Sequence, residues 1–217
     1  KLFGDKPLLL DVRSPKEYKQ AHIPRAINIP LLDDETRRIV GITYKQRGRE
    51  AAVLKGFDLV GKKFGDFIRE VKSLTESKEV MIYCWRGGMR SGIMSWLLSM
   101  AGFKITMLKG GYKSFRRWSL DQFSQKRNIV VIGGRTGSGK TEVLKTLLGR
   151  GEQVIDLEGI ANHKGSAFGN IGMPVQPSQE MFENLLCCKL RVVGCRIKSP
   201  TLTIDSRHLT TALWLED

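Results

Sequence analysis

The 217-residue sequence predicts two α/β units in tandem, and three observations carry that reading. Short apolar runs at Pro7–Val12, Ala26–Pro30, Glu79–Cys84 and Ile105–Leu108 alternate with helix-compatible stretches, the pattern of a parallel sheet joined by crossover helices. A later apolar run, Ile129–Ile132, leads into a glycine-rich loop and then another helical stretch. Between the two patterns lies a polar, basic segment, Tyr112–Arg127, carrying Lys113, Arg116, Arg117, Lys126 and Arg127. The domains are accordingly drawn at residues 1–118 and 128–217, with 119–127 as a basic linker.

In chain order, Leu8, Leu9 and Leu10 run into Asp11 as a strand buried on both faces. Ser14-Pro15-Lys16-Glu17-Tyr18 opens a helix, with Ser as cap and Pro in the first turn. The charged stretch Asp33–Ser77 reads as a helical insertion between the second strand and the strand ending at Cys84. A glycine-containing loop follows, then an apolar helix over Ser91–Met100. In the second unit, Thr141–Leu148 reads as a helix, and further strands are expected to end at Asp156 and to span Leu202–Asp205 and Ala212–Leu215. The segment from Cys187 to Leu213 reads as irregular. The last candidate strand runs into Asp217, so this unit is expected to be cut short.

Composition narrows the function classes. Hydrophobic residues at 41% and charged residues at 27% exclude wholesale disorder. Thirty-six Lys plus Arg against 22 Asp plus Glu give +14, which favours a polyanionic partner over a merely solvated basic surface. The longest mainly apolar uncharged run, Ser91–Phe103, falls short of the roughly 20 residues of a membrane span. Cys84, Cys187, Cys188 and Cys195 have neither metal-ligand spacing nor the density of a disulfide framework. A reducing cytoplasm is therefore expected, with no metal centre.

Cys84-Trp85-Arg86-Gly87-Gly88-Met89-Arg90-Ser91 lies between a strand and a helix, where successive N–H groups form an anion-binding nest. A thiolate held there is stabilised by the helix N-terminus, Arg86 and Arg90, so Cys84 is the candidate nucleophile, with the two arginines as an anion clamp. Asp11-Val12-Arg13-Ser14-Pro15-Lys16-Glu17-Tyr18, His22-Ile23-Pro24-Arg25-Ala26-Ile27-Asn28-Ile29-Pro30 and Lys109-Gly110-Gly111-Tyr112 together resemble the signatures of the rhodanese family over residues 1 to about 118. The resemblance implies sulfur or related chalcogen transfer on Cys84, with Asp11 and His22 in structural roles. The spacing C-x5-R followed by Ser91 also fits cysteine phosphatases on a rhodanese-like fold, so the loop by itself leaves chalcogen and phosphoryl transfer both open.

Gly134-Arg135-Thr136-Gly137-Ser138-Gly139-Lys140-Thr141 is a complete phosphate-binding loop in the required strand-to-helix context. Its N–H groups are suited to a di- or triphosphate, Lys140 to the terminal oxygens, and Thr141 to a magnesium ion if one is bound. Asp156, Asp205, Glu216 and Asp217 are candidate acids for that metal, none of them decisive.

The order of the two loops, together with Asp156-Leu157-Glu158-Gly159-Ile160-Ala161-Asn162-His163-Lys164-Gly165-Ser166-Ala167-Phe168-Gly169, Gln176-Pro177-Ser178-Gln179 and Phe182-Glu183-Asn184-Leu185, resembles the tRNA 2-selenouridine synthase family. That resemblance implies conversion of wobble 2-thiouridine in tRNA to 2-selenouridine, with selenophosphate as donor and an S-geranylated intermediate made from geranyl diphosphate. It implies selenium handling by Cys84, selenophosphate clamping by Arg86 and Arg90, and diphosphate binding by Gly134–Thr141. Arg25 and Ala21 depart from the glycines usual beside the His-Ile-Pro motif. A chain that binds tRNA without chemistry is the remaining alternative.

Overall fold

A computed structural model describes residues 7–135 and 137–194, and the chain divides into two compact units, residues 1–118 and 119–217. The first unit is built on four parallel strands: β1 (Leu8–Asp11), β2 (Ile27–Asn28), β3 (Glu79–Tyr83) and β4 (Lys104–Met107), in the order β2-β1-β3-β4. Leu10 sits opposite both Ile27 and Ile82, which fixes the register of the sheet's centre. β1 is flanked on both edges and packed on both faces, which explains its run of leucines. The chain leaves β1 toward one edge and β3 toward the other. This reversal opens a crevice at the carboxyl ends of β1 and β3, the place where open parallel sheets bind ligands.

The crossover helices are α1 (Pro15–Gln20), α2 (Asp34–Val60), α3 (Phe64–Leu74) and α4 (Met89–Met100). Asp33 caps α2 by accepting from the Thr36 N–H at 2.8 Å. The helix is broken at Gly48, whose φ of 82° no ordinary side chain adopts cheaply, so α2 is two arms joined by a kink. In α3, Phe67 and Val71 lie one turn apart on the buried face. The core joins Leu8, Leu10, Val12, Val71, Val80, Ile82, Met94 and Leu98. Each such side chain is worth about 1.5–3 kcal/mol when fully buried.

α5 (Gly111–Phe123) closes the first unit and runs on past its boundary. Residues 119–123, expected in a linker, are therefore helical. In the second unit the described elements are α6 (Lys140–Gly149), α7 (Leu157–Ala161) and α8 (Gln179–Gly194). The expected strand at Ile129–Ile132 is not formed: Ile129, Val130 and Val131 are about half or more exposed, and no strand occurs there among the described residues. Nor do residues 154–156 form one. A strand exists only through hydrogen bonds to a neighbour, and the candidates Leu202–Asp205 and Ala212–Leu215 lie outside the described residues. The irregular reading from Cys187 onward is also corrected as far as Gly194, which α8 includes. Asn184, Cys187 and Leu190 recur at helical spacing on its buried face, so Cys187 is a packing residue.

Candidate active site at the cysteine loop

Cys84 follows the last residue of β3 at the crevice, with its side chain buried. Its Sγ lies 3.3 Å from the Ser91 hydroxyl, which in turn donates to the Gly88 carbonyl at 2.9 Å. Burial opposes ionisation. Hydrogen bonds from the Ser91 hydroxyl and from the backbone N–H groups of Ser91, Gly88 and Arg86 outweigh it and hold the thiol below its ordinary pKa. The nest expected from the glycines is thus in place, and its geometry is that of a thiolate cradle. Ser91, which the sequence reading treated only as part of a spacing, is one of its donors.

The first turn of α5 locks this loop from behind. Tyr112 N–H donates to the Cys84 carbonyl at 2.8 Å and Lys113 N–H to the Trp85 carbonyl at 2.9 Å. Gly111 has φ 60°, and a Cβ there would run into the Cys84 carbonyl oxygen and come within 2.5 Å of Gly87 N. The second glycine of Lys109-Gly110-Gly111-Tyr112 is therefore required by close approach of two backbones. Trp85 is partly exposed and packs on the Tyr112 ring with centroids 5.6 Å apart.

Asp11 and Arg13, at the carboxyl end of β1, form a fully buried ion pair with an Nη2–Oδ2 distance of 2.6 Å. Arg13 also donates to the Ala21 carbonyl at 2.7 Å, and its guanidinium lies 3.9 Å from the centroid of Tyr112. One cation thereby ties β1, the α1–β2 loop and α5 together. His22 stacks on Tyr18 with centroids 3.9 Å apart, and its Nδ1 lies 2.9 Å from the Tyr18 carbonyl, to which Nδ1–H donates. Burial pushes its pKa down. These contacts hold Asp11 and Arg13 at the end of β1 and His22 in the loop after α1.

The two arginines of the expected clamp have different surroundings. Arg86 is exposed and makes no side-chain hydrogen bond or ion pair among the described residues. Arg90 is largely buried and grips Glu17 with both Nη atoms, at 2.6 and 3.3 Å. Glu17 further accepts from Ser14 N–H at 3.1 Å and forms an ion pair with Arg37, whose Nε lies 3.1 Å away. Burial raises the Glu17 pKa, but Arg90, Ser14 and Arg37 more than reverse this and hold its carboxyl below the usual range. In the sequence Glu17 stands only in the helix opening at Ser14; its link to Arg90 is a tertiary contact.

In the second unit, Gly134, Gly137 and Gly139 all take positive φ, and Gly139 caps the start of α6. Lys140 Nζ folds over the loop, donating to the Gly134 and Arg135 carbonyls at 2.9 and 3.1 Å. Thr136 lies outside the described residues, while Ser138 and Thr141 stand in the turn and the first turn of the helix. Asp156, a candidate metal acid, instead caps α7 by accepting from Gly159 N–H at 2.9 Å. Asp205, Glu216 and Asp217 lie outside the described residues. Among the described residues no group of three or more acidic, His or Cys side chains is placed to hold a metal.

Two family descriptions match the chain in succession: a rhodanese-like domain over residues 1–118 and the tRNA 2-selenouridine synthase AAA domain over residues 127–204. The chain belongs to the tRNA 2-selenouridine synthase family. Its fold class follows from the same matches, a rhodanese-like parallel-sheet domain and then an α/β AAA-type domain. Similar proteins include the tRNA 2-selenouridine synthases of Nitrosomonas europaea (38% identical, covering 99% of this chain and 56% of the relative) and Hydrogenovibrio crunogenus (46%, covering 92% and 57%). That of Sulfurovum sp. is 44% identical, covering 84% and 50%. The chain thus spans about half the length of these family members. Among solved structures, the N-terminal domain of a protein from Clostridium difficile 630 described as ATP/GTP binding is 41% identical, with a TM-score of 0.50. It covers 54% of this chain and 91% of its own. No helix among the described residues is long and apolar enough to cross a membrane.

Proposed function

We propose that the chain converts 2-thiouridine at the tRNA wobble position to 2-selenouridine through an S-geranylated intermediate, using selenophosphate and geranyl diphosphate. The observation that carries this reading is the thiolate cradle around Cys84 in a chain of this family. Alkylation of the thiocarbonyl sulfur turns it into a leaving group. A selenium nucleophile then forms the C2–Se bond as the C2–S bond breaks, and the alkyl thiolate departs with its electron pair. Cys84 is the selenium-handling nucleophile: its thiolate takes the phosphoryl group from selenophosphate as the P–Se bond breaks, selenide leaves with the electron pair to attack C2, and water then hydrolyses the S–phosphoryl bond to phosphate. Arg86 meets the selenophosphate anion from solvent, and Arg90, oriented by Glu17, contributes its charge from behind the loop. Gly134–Thr141 holds the diphosphate of geranyl diphosphate, with Lys140 against its terminal oxygens. Lys109, Lys113 and Arg117, all exposed, contact tRNA phosphates. A cytoplasmic location goes with this reading.

The phosphatase reading requires the C-x5-R arginine to present its fork to phosphate, and the bidentate pair of Arg90 with Glu17 disfavours it. Incubating the chain with selenophosphate and S-geranylated thio-tRNA, followed by mass spectrometry of nucleosides, tests the proposal: 2-selenouridine is expected. Absence of that product, with aryl phosphate hydrolysis dependent on Cys84 and Arg90, would replace it by the phosphatase reading. Salt-sensitive tRNA binding without either reaction would leave only an RNA-binding chain.

A further inference from the structure

The kinked α2 and the start of α4 enclose an apolar pocket of about 120 Å³ within the first unit. Val40 and Tyr44 line it from the first arm of α2, Val53 and Gly56 from the second, and Met89 and Ile93 from the first turns of α4. α4 begins five residues after Cys84, so one wall of the pocket continues the cysteine loop. Arg90 is the one charged side chain in the lining, and its guanidinium is engaged by Glu17. The remaining lining is apolar, apart from the Tyr44 hydroxyl, with the Met89 thioether among its hydrocarbon side chains. Such a surface offers nothing to a phosphate or a nucleobase edge and favours an aliphatic group. Tyr44, Phe57 and Met89 keep roughly half of their surface exposed around it, surface that an aliphatic ligand would cover.

We propose that this pocket binds the hydrocarbon chain of the S-alkylated thiouridine while its C2 faces the cysteine loop. The proposal rests on the synthase reading for the identity of the alkyl group. A cavity of about 150 Å³ with aliphatic and aromatic walls holds a benzene, so the pocket accepts roughly one isoprene unit fully and a second at its mouth. It thereby selects a short prenyl chain over a methyl group. A Cβ at Gly56 would lie 3.9 Å from a Val40 methyl, an ordinary contact. A larger side chain at that position therefore fills the gap between the two arms without a backbone clash.

The test measures binding of S-methyl, S-prenyl, S-geranyl and S-farnesyl 2-thiouridine nucleosides to the full chain by calorimetry. Affinity is expected to rise at least tenfold from methyl to geranyl and to level off at farnesyl. Gly56→Leu is expected to abolish that gain. If Gly56→Leu lowers the melting temperature sharply, Val53→Asn provides the second variant, with the same expected loss. Equal affinities across the series, no binding of any member, or a gain that survives both variants would overturn the proposal. So would a concentration-dependent dimer that buries Tyr44 and Phe57. Chain-length-dependent binding without selenouridine formation would uphold the pocket and remove the synthase reading, which keeps the two failures apart.

Discussion

At the residue scale, the chemistry of Cys84 turns on which hydrogen bonds reach its sulfur. The Ser91 hydroxyl holds one proton and has two acceptors in reach, the Gly88 carbonyl and the Cys84 thiolate. In the thiol state the serine donates to the carbonyl and receives from sulfur. In the thiolate state its proton turns to sulfur. Alkylation of Cys84 by iodoacetamide is therefore expected to inflect below the ordinary thiol pKa, because the folded protein lowers it. Ser91→Ala is expected to move the inflection upward and slow alkylation several-fold at neutral pH; an unmoved profile would remove Ser91 from the cradle. Glu17 provides a second titration. Its folded pKa is depressed, so its contribution to stability is fully present above its unfolded value of about 4.3 and is lost as pH falls through the folded one. Melting curves of Glu17→Gln should lie below those of the parent at neutral pH and lose that difference on acidification through this window.

Elements, in turn, place these residues. The Asp11–Arg13 pair joins the end of β1 to the ring of Tyr112, and the close approach at Gly111 presses α5 onto the loop. Asp11→Asn leaves a buried guanidinium without its counter-charge and is expected to cost about 3–5 kcal/mol in denaturant unfolding. Gly111→Ala should depress both the melting temperature and Cys84 alkylation, because the intruding Cβ meets backbone rather than a movable side chain. The first unit was legible in the sequence because its signals are local. Leucine runs marked β1, Ser14 and Pro15 marked the start of α1, and the glycines after Cys84 marked a curled loop. In the second unit a local apolar run misled: Ile129–Ile132 reads as a strand, yet none forms there among the described residues, since a strand needs a hydrogen-bonded partner that no local pattern supplies. α8 escaped because its buried face uses Asn184 and Cys187, residues that a hydrophobic count does not weigh as core. The grip of Glu17 on Arg90, the ring of Tyr112 under Arg13 and the pocket between the arms of α2 all join residues far apart in sequence, so the candidate site was legible as a list of groups and not as an arrangement.

For the whole molecule, the net charge of +14 is now assigned in part to particular sites. Arg86 lies on the cysteine loop, Lys140 folds over the phosphate-binding loop, and Lys109, Lys113 and Arg117 lie exposed near or along α5. tRNA binding is expected to weaken steeply with salt. Replacing Lys109, Lys113 and Arg117 by Gln should reduce the slope of log K against log salt by roughly one for each lost phosphate contact. An unchanged slope would place the RNA elsewhere. In the proposed function the two loops serve separable steps, alkylation at the Gly134–Thr141 loop and selenium delivery at Cys84. The most direct measurement follows both products by nucleoside mass spectrometry in Cys84→Ser and Lys140→Ala variants, starting once from thio-tRNA with geranyl diphosphate and once from tRNA already geranylated. Cys84→Ser is expected still to form the geranylated nucleoside but no selenouridine, and Lys140→Ala to fail at geranylation yet selenate the pre-geranylated tRNA. Selenouridine formed at the parent rate by Cys84→Ser would contradict the proposed function.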